Sequence, residues 1–155
     1  MIQWRSIQHG DEAAIVAVFI ASVHQVARRD YPPEQLAAWA PETGIDPVAW
    51  CAPLFQDDTL VAVSAGRIVG FANMTQAGYL DRVYVAPTHQ GQGIASHLVD
   101  VLEQHARNRG VHRITVAASH TALAFFKARG YQAVRANIVE RDGVRIGNTI
   151  MAKII

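Results

Sequence analysis

The sequence predicts an α/β (α+β) fold with a mixed, mostly antiparallel central sheet of about six to seven strands flanked by helices. Three observations predict it. Two turn signals, Ala65-Gly66 and Arg141-Asp142-Gly143, each join a pair of β-rich runs and read as antiparallel hairpins. Residues 79–106 and 113–129 each pass from strand-like to helix-like periodicity, which reads as two strand-to-helix units. The chain has 155 residues and is half hydrophobic, enough to bury one core, and no repeat or linker divides it, so residues 1–155 are expected to form a single domain.

In order, residues 3–8 read as a short first strand, and Asp11 is placed to cap a helix carrying Ala13, Val16, Phe19, Ile20 and Val23 at helical spacing. Pro32 and Pro33 break the chain, and residues 34–40 form a second short helix with Pro33 in its first turn. Pro41, Gly44 and Pro47 mark a loop before a helical turn over 48–54. Residues 59–64 and 67–75 make the first hairpin, with Gly66 supplying the unusual backbone angle. A strand over 79–85 closes at Pro87, and from Gly91 the period becomes 3.6 through Ile94, Leu98, Leu102 and Ala106. Gly110 stops that helix, 113–117 is a buried strand, and 121–129 is a helix stopped by Gly130. Residues 131–140 and 144–155 form the last hairpin, whose final strand offers an edge for a possible homodimer.

Fourteen Lys and Arg balance thirteen Asp and Glu, so there is no excess positive charge to neutralise nucleic-acid phosphates or an anionic membrane. Neither nucleic acid nor membrane is expected as a partner. Residues 13–23 are apolar, but Asp11 and Glu12 stand where a signal peptide needs basic residues, and the run is too short to span a bilayer. Cys51 is the only cysteine, which excludes an internal disulfide and fits a reducing, cytoplasmic setting.

The segment Gln90-Gly91-Gln92-Gly93-Ile94-Ala95 lies between a strand and a helix. A helix start leaves about four N–H groups without partners at the positive end of the dipole, so a phosphate can be held there. A dinucleotide-binding Rossmann turn does not fit, because Ser96 stands where Gly or Ala is needed, and a P-loop lacks its Gly-Lys-Ser/Thr. The segment instead resembles the signature of the GCN5-related N-acetyltransferase (GNAT) superfamily: Gln or Arg, two residues, Gly, one residue, Gly or Ala. It follows Leu80-Asp81-Arg82-Val83-Tyr84-Val85-Ala86-Pro87, similar to the family's fourth strand with its exit proline. A second family segment resembles residues 119–131, with Ala122, Phe125, Phe126 and Gly130-Tyr131 in place and Ser119 where Asn is usual.

The resemblance implies the acyl-CoA N-acyltransferase fold and an acetyl-CoA-dependent N-acetyltransferase without a metal. The backbone amides of Gly91, Gln92, Gly93, Ile94, Ala95 and Ser96 would bind the CoA pyrophosphate, while Val83 and Val85, with Tyr84 between them, would pair their backbone with the pantetheine arm. Ser119, Phe125 and Phe126 would complete the cofactor side, although Ser119 also fits a simple helix cap.

Amine acetylation needs a neutral nucleophile, a polarised thioester and a proton for the departing thiolate. Many relatives of that family supply the proton from a tyrosine, and Phe126 stands at the matching place. Either Tyr84 or water takes over, or no dedicated acid is needed; the second account is preferred, with Phe126 read as packing. The same residue keeps open a second reading, a non-catalytic acyl-CoA-binding module. Asp81 is the candidate base or amine-binding group, since alternation with Val83 and Val85 turns it inward; a salt bridge to Arg82 or Arg113 is the competing reading. His120, beside the second segment, is the other candidate base.

The acceptor, a primary amine of a small molecule, peptide or protein, is expected between residues 28–39 and the last hairpin, with Tyr31 and Trp39 as an aromatic wall or as plain core. His97 and His105 lie eight residues apart, not the four that helical metal pairs use, and no metal site is expected.

Overall fold

The computed structural model describes residues 1–155. Seven strands form one sheet in the order β1-β2-β3-β4-β5-β7-β6. The strands are β1 (Ile2–Ser6), β2 (Asp58–Ser64), β3 (Arg67–Met74), β4 (Tyr79–Val85), β5 (Arg113–Ala118), β6 (Gln132–Arg141) and β7 (Val144–Ile154). Every neighbouring pair is antiparallel except β4 and β5. The helices are α1 (Glu12–Val26), α2 (Pro33–Trp39), α3 (Pro47–Cys51), α4 (Ile94–Asn108) and α5 (Leu123–Ala128). The sheet and its order of elements agree with the sequence reading.

Alternation along the strands gives the sheet two buried faces. On β2, Leu60 and Ala62 join a core with α4 and α5, while Val61 and Val63 join a second core with α1, α2 and α3. Both hairpin turns use two left-handed residues, Ala65 and Gly66 (φ 50° and 78°) and Asp142 and Gly143 (φ 50° and 74°). That conformation matches strand twist, so the tight registers of both hairpins follow from the turns.

Three expectations need correction here. Asp11 does not cap α1 with its side chain; its carboxylate accepts hydrogen bonds from the Arg5 guanidinium and the Gln8 N–H, tying β1 to the helix start. The helix after the glycine loop begins at Ile94, not Gly91, because Gly91 and Gly93 are left-handed. The last strand is not an edge: β7 lies between β5 and β6, and the edges are β1 and β6. Val134 and Ile138, about half exposed at 52% and 55%, lie on β6, so the edges open to strand pairing are β1 and β6 and not residues 144–155.

Two register pairs alone, Tyr79 with Thr115 and Leu80 with Val116, hold β4 to β5. Beyond Leu80 the strands part, and the sheet is open in the middle. Ala117, Ala118 and Ser119 line the opening on the β5 side with small side chains, and Phe126 of α5 closes its floor.

Candidate functional site

The backbone of β4 shows what the opening offers. Ala86 donates its N–H to Val69, so by the two-residue alternation of an antiparallel ladder Val83 and Val85 turn their backbone groups away from β3. No β5 residue pairs with them. Both therefore present main-chain groups to the gap, except that the Val85 carbonyl already accepts from the Gln90 side chain at 2.8 Å. That contact leaves the Val85 N–H free and occupies one lone pair of its carbonyl. It also gives Gln90 a definite task, fixing the glycine loop to the end of β4.

The loop itself carries six successive amides, residues 91–96, with no acceptor in the protein; the first helical bond is from His97 N–H to the Gly93 carbonyl. Gly91 (φ 73°) and Gly93 (φ 78°) are left-handed, and a Cβ on either would meet nothing within 4 Å. Glycine is required here for backbone angle, not for lack of room, and the space above the amides is open. The Ile94 side chain is buried, so that residue can offer a ligand only its N–H.

Two clefts meet at the gap. One, about 270 Å³, runs between the end of α1 and α5 and is lined by Val83, Val85, Gln90, Ala95, Phe125 and Phe126, among others. The other, about 220 Å³, opens on the α1–α2 side between α2 and the β6–β7 hairpin. Trp39, Tyr84 and Ser119 line both. The Trp39 indole N–H donates to the Tyr84 hydroxyl at 3.2 Å, and no protein group accepts the hydroxyl's own proton. Burial pushes the Tyr84 hydroxyl up to about 12, against the opposing effect of the Trp39 N–H and the nearby arginines, so it stays protonated at neutral pH.

The predicted residues divide as follows. Val83, Tyr84, Val85, Gln90, Ala95, Ser119, Phe125 and Phe126 line the first cleft; the amides of residues 91–96 lie at its loop. Ser119 Oγ accepts from the Ala122 N–H at 3.1 Å, so it caps the turn into α5 as well as lining both clefts. Phe126, 3% exposed, packs edge-on to Phe125 and Tyr131 and is core.

Asp81 lines the second cleft, but alternation is not the reason. The bulge between Asn73 and Met74 inserts an extra residue opposite β3, which puts Asp81, Arg82 and Tyr84 around the second cleft and leaves Val83 and Val85 on the other. Its carboxylate accepts from Asn73 Nδ2 at 3.3 Å and lies 3.8 Å from Arg82 Nε.

His120 lines neither cleft itself; its ring stacks on Tyr31 at 5.0 Å and 7° and lies against Gly147, both of the second cleft. Tyr31 is corrected in part. Its ring lines the second cleft, but it is 4% exposed, and its hydroxyl donates to the Gly147 carbonyl (2.7 Å) and accepts from the His120 N–H (2.9 Å). It is a strut joining the segment after α1, the loop after β5, and β7.

Sequence reasoning missed several lining groups. Trp50 carries the Arg82 guanidinium 3.9 Å above its ring, and Arg141 and Asn148 arrive from β6 and β7. Asn73, wholly buried, donates to Asp57 and Asp81 and leaves its own Oδ1 without a partner. An asparagine inside the otherwise apolar run of β3 was the available signal; nothing in the sequence placed Arg141 or Asn148.

An acetyltransferase (GNAT) domain description matches residues 27–153. The uncharacterized N-acetyltransferase YafP of Escherichia coli (strain K12) is 34% identical over 150 residues, spanning 97% of this chain and 94% of that protein. A crystal structure of a GCN5-related N-acetyltransferase from Rhodopseudomonas palustris superposes with a TM-score of 0.94 at 37% identity, covering 99% of this chain and 95% of that one. The PaiA N-acetyltransferase of Thermoplasma acidophilum, solved with coenzyme A, shares the fold at TM-score 0.80 and 17% identity, with 100% and 99% coverage.

Proposed function

The chain belongs to the GNAT acetyltransferase family, and from that premise we propose that it transfers the acetyl group of acetyl-CoA to a primary amine by direct attack in a ternary complex. The observation that carries the proposal is the meeting of two clefts at a gap where β4 lacks a neighbour, with Tyr84, Trp39 and Ser119 common to both. The donor side fits CoA by chemistry: free amides of residues 91–96 for a pyrophosphate, and the turned-out backbone of Val83 with the Val85 N–H for an amide-bearing arm. Acetyl-CoA supplies an acyl group already activated as a thioester.

The chain's own residues then supply position and protons. Held from opposite sides of the sheet, amine and acyl carbon approach through one opening, which removes most of the entropic cost of encounter. Asp81, on the acceptor side, holds the amine and accepts its proton. The Tyr84 O–H, protonated and without an acceptor of its own, donates to the leaving sulfur in the role that Phe126 cannot fill. The lone thiol of Cys51 is buried, pushed up to about 11 by burial and then by the Glu12 charge, and takes no part. One free, buried cysteine also suits the reducing cytoplasm as the place of reaction.

Thiol release from acetyl-CoA across a panel of amines tests this, with Asp81→Asn beside the wild type. Amine-dependent release that drops by about tenfold or more in Asp81→Asn, with unchanged CoA affinity by calorimetry, is expected. CoA binding without release for any amine would leave the non-catalytic module as the reading.

A further inference from the structure

The walls of the acceptor cleft differ in charge from what a polyamine or a lysine-rich chain would need. Its charged lining groups are one carboxylate, Asp81, and two guanidinium groups, Arg82 and Arg141. Asp81 and Arg82 lie 3.8 Å apart and largely offset each other. Arg141, on the last residue of β6, makes no salt bridge; its one side-chain hydrogen bond is to the adjacent Glu140 carbonyl at 3.4 Å. Asn148 lines the same side, its Oδ1 taken by Asn137 Nδ2 and its own amide N–H₂ without an acceptor. Most of the other lining residues are aromatic or aliphatic, among them Phe19, Trp39, Trp50 and Ile146.

We infer that the acceptor is a small amine that also carries a carboxylate, of the α-amino-acid class, with its anion held by Arg141 and Asn148 and its apolar body against Trp39 and Trp50. The inference rests on the transferase reading above and specifies its acceptor. Three features argue for it. An unpaired guanidinium and a free side-chain amide lining one cleft offer charge-assisted and neutral donors to a carboxylate bound between them. The net positive lining disfavours a polycation, since a second ammonium would meet Arg82 or Arg141 instead of Asp81. The volume, about 220 Å³, lies below the roughly 300–1,000 Å³ of drug-sized sites and suits an acceptor about the size of one amino acid. The aromatic walls accept an apolar side chain without further polar demands.

Reaction products give a direct test that needs no turnover. N-acetyl-L-phenylalanine and N-(2-phenylethyl)acetamide differ only in the carboxylate, and calorimetry with the full chain in the presence of CoA measures both. The acid is expected to bind about tenfold or more tightly than the neutral amide, as a charge-assisted contact in a half-open site gives. In Arg141→Gln that ratio falls to about threefold or less, and Arg141→Lys, which keeps the charge but loses the planar fork, lies between. Equal binding of the two compounds to the wild type, or a ratio unchanged in Arg141→Gln, overturns the inference. A parallel thiol-release assay with phenylalanine, phenethylamine and spermidine separates the two levels. Release that is fastest with spermidine also overturns the carboxylate acceptor while keeping the transferase, whereas discrimination in calorimetry with no release for any amine keeps the acceptor site and removes the transferase.

Discussion

Replacing Gly93 with alanine and with aspartate separates the two reasons a glycine loop can matter. Gly93 sits at φ 78° and ψ 10°, and a Cβ there meets no atom within 4 Å. Alanine therefore adds backbone strain alone, about 1–2 kcal/mol for a left-handed residue with a side chain, which lowers the melting temperature by about 2–8 °C in a chain of this size. Aspartate, which tolerates the left-handed region better, adds no more strain than alanine but puts a negative charge next to the free amides of residues 91–96. Two unit charges 4 Å apart interact by about 4 kcal/mol near a protein surface and about 1 kcal/mol in bulk water. The open loop lies between those limits, so Gly93→Asp is expected to bind CoA at least about fivefold more weakly than Gly93→Ala. Calorimetric Kd values for the three proteins, with scanning calorimetry for stability, measure both effects. Equal Kd values for the two variants, or wild-type affinity in Gly93→Asp, would refute an anion site at these amides.

Tyr31→Phe should lower the unfolding free energy in urea by about 1–2 kcal/mol, since two partly buried hydrogen bonds, to the Gly147 carbonyl and from the His120 N–H, are lost. Because Gly147 and Asn148 line the acceptor cleft, acceptor KM should rise while CoA affinity holds; unchanged stability would dismiss the strut. Phe126→Tyr should leave turnover within about threefold, because residue 126 is core and Tyr84 already supplies a hydroxyl at the opening; a gain of about tenfold or more would mean that a missing acid limits the native rate. Burial raises Tyr84 from its ordinary value of 10.0 to about 12, so its protonated form persists as pH rises, and the pH–rate profile should show no fall due to Tyr84 below about pH 11. A descending limb near pH 8 that disappears in Tyr84→Phe would contradict that assignment.

The sequence displayed the fold well because local rules decided most of it. Ala65-Gly66 and Asp142-Gly143 set two hairpins, and the passage from period 2 to period 3.6 around Gly93 marked a strand-to-helix unit. The glycine loop was legible for the same reason: its free amides, residues 91–96, belong to one continuous segment. The second cleft was legible in place, since residues 28–39 and the last hairpin do flank it, but not in most of its side chains: Trp50, Arg82, Arg141 and Asn148 meet there only through the packing of α3, β4, β6 and β7. Placing β7 inside the sheet, and β6 at its edge, is a long-range choice that no short segment records. Asp81 was found for an incomplete reason, since a bulge at Asn73 and Met74 changes which neighbours share its face. His120 is adjacent to the second motif, yet its ring stacks on Tyr31 and lines neither cleft itself.

The parting of β4 from β5 after Leu80 leaves the sheet short of hydrogen bonds at its centre, and a ligand that supplied amides there would complete it as a guest strand. Binding and structural integrity then draw on the same main-chain groups. A ligand held at a hundred times its Kd adds about 2.7 kcal/mol to stability, comparable with a sizeable fraction of what holds a domain folded. If the guest is acyl-CoA, resistance of the purified protein to proteolysis is expected to rise with the acyl-CoA concentration, which a protease-protection titration measures.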